Sequence, residues 1–214
     1  MILLLVALVA GVADVGPAPF TIGRVKYGGG GDWYANPSSL PNLLRRVGAD
    51  LSISVAERED VVELSGPDLY RHPFLYVTGH GEIRLTDLEA ARLRQFLLAG
   101  GFLHADDNYG LDGSFRREIA RVFPDRELVR LRPNHAVFSA RHEFPHGLPK
   151  IHEHDGAPAQ ALAVLDGERI MVFYTFSSDL GDGWEDERVH NDPPELREAA
   201  LKMGVNIVAY ALTH

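Results

Sequence analysis

The chain has 214 residues, 45% of them hydrophobic and 24% charged, with a formal net charge of −9 and no cysteine. That length holds one α/β domain with a full core and is short for two. The acidic balance argues against a nucleic-acid backbone as partner, and the missing thiols exclude a disulfide framework, a cysteine nucleophile and lipid attachment through cysteine.

Residues 1–19 read as an export segment. Ile2 to Ala10 is unbroken apolar sequence, Gly11, Val12 and Ala13 are small, and Asp14, Gly16, Pro17 and Pro19 follow. No Lys or Arg precedes the run, and the competing reading is a buried first strand. The run is shorter than the ~20 residues that span a bilayer, so no stable transmembrane anchor is expected and the predicted location is the periplasm or cell envelope. One domain then covers residues 20–214.

Phe20 to Tyr27 alternates like a strand, and Pro41 to Val47 has helical periodicity. Between them lies Gly28-Gly29-Gly30-Gly31 with Asp32, Trp33 and Tyr34, a strand-to-helix connection of the kind where α/β sheets keep ligands. Leu51 to Val55 suits a second strand, Asp60 to Leu64 is a short extended piece, and Phe74 to Val77 is a buried run ending in Thr78-Gly79-His80-Gly81. Thr86 and Glu89 form a capping box for a helix that Gly100-Gly101 ends. Gly101 to Asp107 is a strand closing on two carboxylates, and Asp112 or Ser114 caps a helix running to Val122. Leu128 to Leu131, Ala161 to Leu165 and Ile170 to Phe176 supply further strands, the last two joined by a hairpin at Asp166-Gly167. Glu195 to Leu212 is a terminal helix introduced by Asp192-Pro193-Pro194. Such alternation predicts a mostly parallel sheet between two helical layers. Residues 133–160 and 177–192 read as long irregular segments, which in compact domains usually serve function.

Four of these stretches, Lys26 to Tyr34, Gly100 to Asp107, Asn134 to Phe138 and Ser178 to Glu185, resemble in this order the bacterial domain family DUF4159 over residues 20–212. The resemblance implies a flavodoxin-like three-layer α/β/α fold, akin in architecture to class I glutamine amidotransferases. No cysteine stands here to act as their nucleophile, and the family brings no established activity. Export of its members agrees with Ile2 to Ala10.

The candidate ligand-binding residues are Tyr27, Gly29, Gly30, Asp32, Trp33, Tyr34, Asp179, Trp184 and Glu185, combining aromatic faces with carboxylates. His80, Asp106 and Asp107 are the candidate catalytic residues because they close predicted strands. Asp32, Asp179, Asp182 and Glu185 form an oxygen-rich set of the type that calcium or magnesium accepts, and His152 with His154 and Asp155 has a spacing compatible with zinc. The bland readings are helix and turn capping for the acids, a core role for His104 and an exposed loop for the other histidines. There is no Gly-x-Ser-x-Gly elbow and no phosphate-binding Gly-x-x-x-x-Gly-Lys motif. The sequence thus predicts a binding module for a polar or carbohydrate-like ligand or a protein partner. The alternative is a hydrolase, assisted by a divalent metal, with His80 or Asp107 as base. Loops following parallel strands should place Asp32, His80, Asp107 and Glu185 in one crevice, with Trp33 or Trp184 as a wall and the 133–160 segment partly covering it.

Overall fold

A computed structural model of the chain describes residues 18–154 and 156–214. The Ile2 to Ala10 run and Asp155 lie outside the described residues. Seven strands form one sheet in the order β2-β1-β3-β4-β7-β6-β5. They are β1 (Gly23–Val25), β2 (Asp60–Val62), β3 (Phe74–Val77), β4 (Phe102–Asp106), β5 (Val129–Arg130), β6 (Gln160–Asp166) and β7 (Arg169–Phe176). Strands β2, β1, β3, β4 and β7 run parallel, while β6 is antiparallel to both of its neighbours. The parallel part, with β7 in fifth place, follows a doubly wound order that reverses at β1, consistent with the flavodoxin-like arrangement.

Helices cover both faces, giving the three-layer α/β architecture. On one face, Leu75, Val77, Leu103 and Ala105 pack against α2 (Asp87–Leu98) and α3 (Asp112–Val122). On the other, Phe74, Tyr76, Phe102 and Phe173 pack against α1 (Ser39–Leu51), α4 (Leu180–Trp184) and α6 (Pro194–Thr213). The period-2 alternation of strands decides this division, since successive side chains leave opposite faces. Helix α6 is buried from Met203 to Tyr210 and forms the spine of its layer.

Thr86 caps α2 through the full reciprocal box with Glu89. Four sequence readings are corrected. Helix α1 is longer than Pro41 to Val47. Leu51 to Val55 is no strand: Leu51 completes α1, Ser52 turns left-handed at φ 56°, and Val55 makes only an isolated bridge to Phe20. The second strand is instead the short piece at Asp60–Val62. Finally, 177–192 holds two short helices, α4 and α5 (Glu187–His190), where irregular chain was expected.

Candidate functional site

Because β1, β3, β4 and β7 are parallel, the loops after them meet at one edge of the sheet. Their contacts show how closely. Tyr27 donates its hydroxyl to the Thr78 carbonyl at 2.9 Å. Asn36 donates to Asp182 at 2.8 Å, and Ser38 N–H donates to Glu185 at 2.9 Å. The Gly181 N–H donates to Asp106 at 2.7 Å.

The glycine run serves this meeting of loops. Gly28 bridges Arg84, Gly31 N–H donates to the Glu82 carbonyl, and Asp32 N–H donates to the His80 carbonyl. A Cβ on Gly29, whose φ is +107°, would stand 2.6 Å from the Glu82 oxygen. Backbone therefore fills the space expected for a ligand beside Gly29, and Gly30 has no neighbour within 4 Å of its Cβ position. The crevice between the β1 and β3 loops is closed by main chain.

Asp32 and His80 occupy the outer rim. Asp32 accepts from both the backbone N–H and the Nδ1 of His80, the latter at 3.0 Å. Burial alone would raise the Asp32 pKa, but these bonds and the charge of His80 hold it below the usual carboxylate value.

The inner group lies over the ends of β3, β4 and β7. Asp106 is fully buried and shares its face with Tyr76, His104 and Trp184. It accepts from Thr175 Oγ1 and from Gly181 N–H. His104 Nε2 lies 3.0 Å from the same Thr175 hydroxyl. One hydroxyl proton serves one acceptor, so with Asp106 ionised Thr175 donates to the carboxylate and His104 donates to Thr175. Burial pushes Asp106 up to about 7 against those hydrogen bonds, and drives His104 down to about 3.

Asp107 points to the opposite face and accepts from Leu111 N–H at 3.0 Å, which places it at the start of α3. The expectation that Asp107 faces the crevice is therefore corrected: it serves the start of α3, while Asp106, one residue and one pleat away, is the carboxylate turned toward α4. Burial raises the Asp107 pKa, opposed by the Leu111 N–H.

Asp179 sits between β7 and α4 in a left-handed conformation, φ 59° and ψ 49°. It is 1% exposed, and neither carboxylate oxygen has a hydrogen-bond partner among the described residues. His154 Nε2 is 3.3 Å from Oδ2 without hydrogen-bond geometry. Burial, then the charges of Asp106 and Asp182, push Asp179 up to about 8. Asn108, also buried, has no hydrogen-bond partner for either amide atom among the described residues. His190 Nε2 stands 3.6 Å from both Asp182 and Glu185.

Residues 152–154 bring part of the 133–160 segment to this edge. His154 stacks on Tyr109 at 4.9 Å and lies 4.9 Å from the His152 ring. Its pKa is lowered by burial and then by the charge of His152, with a smaller effect from His80. Earlier residues of the segment go elsewhere, with Asn206 of α6 pinning Arg141 and His142. No group of three or more His, Asp or Glu among the described residues is disposed to hold a metal ion.

The aromatic candidates separate. Trp184 is fully buried, donates its indole N–H to the Ala200 carbonyl at 2.7 Å, and contacts Tyr76 and His104. It forms core, not a crevice wall, because α4 turns it inward. Tyr27 is buried, Tyr34 is exposed and Trp33 is partly buried beside it. Glu185 accepts from the Ser38 N–H and hydroxyl, fastening the start of α1. Sequence reasoning left out Asn108 and Thr175. Their signal was position alone, at the ends of the two central strands.

A family model described as Domain of unknown function (DUF4159) matches residues 21–212. No curated protein matches the chain.

Proposed function

The chain belongs to the DUF4159 family, and from that premise, which assigns no activity, we propose that it is a binding protein for a small polar ligand rich in hydrogen-bond donors. The ligand is held where β4 and β7 end. The supporting observation is the Asp179 carboxyl group, buried with neither oxygen hydrogen-bonded among the described residues and with only the His154 Nε2, at 3.3 Å, beside Oδ2. A buried polar atom without a partner costs about 1–3 kcal/mol, and native structures keep few of them. Hydroxyl or amino groups of a ligand would satisfy Asp179, while the free amide of Asn108 adds one acceptor and two donors beside the chemistry of a strand end.

A thermal-shift screen of polyols, amino sugars, amino acids and diamines tests this reading. Ligands that raise the melting temperature of the wild type should lose at least tenfold in affinity for Asp179→Asn, which replaces one acceptor oxygen by a donor. Equal binding by both proteins would sink the assignment.

A second reading, hydrolysis by acid–base catalysis, is favoured by one arrangement: Asp106, with its pKa near neutrality, is joined through Thr175 to His104. Turnover in a hydrolase panel that disappears in Asp106→Asn would establish it in place of simple binding.

We propose export as well, on the apolar run Ile2 to Ala10 and the small residues behind it. Protein recovered from the native cell envelope should begin between Gly11 and Pro19 on N-terminal sequencing; an intact Met1 in that fraction would exclude processing.

A further inference from the structure

Trp33 and Tyr34 line a cleft that includes none of the carboxylates at the ends of β4 and β7, and a buried arginine holds the loop that carries them. Arg24 is 2% exposed and donates to the Ala35 carbonyl at 2.6 Å, with longer contacts to the carbonyls of Trp33 and Asn36. Its Nε pairs with Glu59 at 3.1 Å. A guanidinium spent in this way fixes the backbone of the loop from beneath, so the rings above it are presented on a preorganised support.

Those rings meet edge to face, Trp33 against Tyr34 at 5.5 Å and 88°, and Tyr34 is 64% exposed. With Pro37, Pro41, Arg58 and Glu59 they line a cleft of about 450 Å³, within the range of small-ligand sites. Its charge is not balanced. Arg24 and Glu59 neutralise each other, and the guanidinium of Arg58 makes no hydrogen bond or ion pair among the described residues. One positive charge with a planar donor fork is left in the lining of a cleft that also holds two aromatic rings.

We propose that this cleft binds an acidic saccharide, whose apolar ring face packs on Trp33 and Tyr34 while its carboxylate engages Arg58 as a two-point hydrogen-bonded pair. Aromatic rings with a polar rim suit a molecule that is apolar on its faces and hydroxylated at its edges. The unpaired arginine selects the charged form over the neutral one, since guanidinium and carboxylate match in shape as well as charge. The proposal is independent of the Asp179 site, because none of its residues touches that carboxyl group.

Tryptophan fluorescence reads it directly. Of the two tryptophans, Trp184 is sealed in the core, so a ligand-induced change reports Trp33. Titration with trigalacturonate should give a saturable change in the wild type, and galactotriose, its uncharged counterpart, should bind at least tenfold more weakly. Arg58→Gln should bring the two ligands to similar affinities, and Tyr34→Ala should weaken both; these side chains are exposed, and matching circular dichroism melts will show that the variants are folded. The proposal is overturned if trigalacturonate gives no saturable change, if galactotriose binds as tightly, or if neither variant alters binding. A response lost in Asp179→Asn but kept in Arg58→Gln would belong to the other site and equally overturn this one.

Discussion

Trp184→Ala should destabilise the protein by about 4 kcal/mol, in line with large-to-small changes at buried aromatic positions, and lower the melting temperature by roughly 8–16 °C. The indole is fully buried and touches Tyr76, His104 and the backbone beside Gly204, where a Cβ would stand 3.0 Å from the Trp184 ring. Neighbours that close cannot relax into the space left behind, so the cavity cost adds to the lost burial. The indole N–H bond to Ala200 disappears as well, leaving that carbonyl to the helix alone. Trp184→Phe keeps most of the volume and loses the bond, and should cost about 1–2 kcal/mol. Urea denaturation followed by far-ultraviolet circular dichroism measures both. A loss below about 1 kcal/mol for the alanine variant would mean that α4 does not anchor the β7 loop to α6. A melting temperature lowered as predicted, with ligand affinity per folded molecule unchanged, would assign Trp184 to packing.

That same residue shows where sequence reading stops. Gly181-Asp182-Gly183-Trp184 reads as part of an irregular loop that offers its tryptophan to a ligand, because its composition is that of turns. The glycines instead admit close neighbours: a Cβ on Gly183 would lie 2.5 Å from that of Ala200. Close packing between segments far apart in the chain leaves no local periodicity to read. Gly29 and Gly31 are a second case, since their need for glycine comes from main chain at residues 80–84. By contrast, the Thr86 and Glu89 box is local chemistry, and the sequence alone places α2 correctly. The paired strand end was half legible. Period-2 alternation required Asp106 and Asp107 to part, but which of them capped α3 depended on the face that α3 covers. Leu51 to Val55 misled because Leu, Ile and Val alternate there with serines, a strand pattern that the last turn of α1 overrides. Parallel topology brought the β1, β3, β4 and β7 loops to one edge as expected, yet the division of that edge into an acidic interior and an outward aromatic cleft follows from Arg24, whose hydrogen bonds no spacing rule reveals.

Raising the pH from 6.5 to 8.5 should destabilise the wild type, relative to the double variant Asp106→Asn/Asp179→Asn, by an amount on the order of 2 kcal/mol, since a pKa unit corresponds to about 1.4 kcal/mol. The cause is the pair Asp106 and Asp179, pushed by burial up to about 7 and about 8 from the ordinary 3.8. Both folded-state values lie above the unfolded ones, so between pH 3.8 and the folded value the native chain holds protons that the unfolded chain has released. Stability therefore falls as pH rises through this window and levels off above about 8. Around and below pH 6.5 the trend is opposed by His104, lowered to about 3 by burial, and by His72, His135 and His154, also lowered chiefly by burial, because the unfolded chain takes up protons that the native chain refuses. Hydrogen-bonded acids such as Asp32 and Glu198, held below their ordinary values, lose their contribution only in more acidic solution. Those histidines are common to the wild type and its carboxyl variants, so the difference between their profiles from pH 6.5 to 8.5 isolates the buried carboxyl groups. Relative to the double variant Asp106→Asn/Asp179→Asn, the urea midpoint of the wild type should decline from pH 6.5 through 7.5 to 8.5, and that of Asp179→Asn should decline less. A wild-type profile that runs parallel to that of the double variant across this interval would show that both carboxyl groups are ionised in the native state near neutral pH. Asp179 would then carry a buried charge that a cationic ligand must meet, and amino compounds would outrank polyols as its partners.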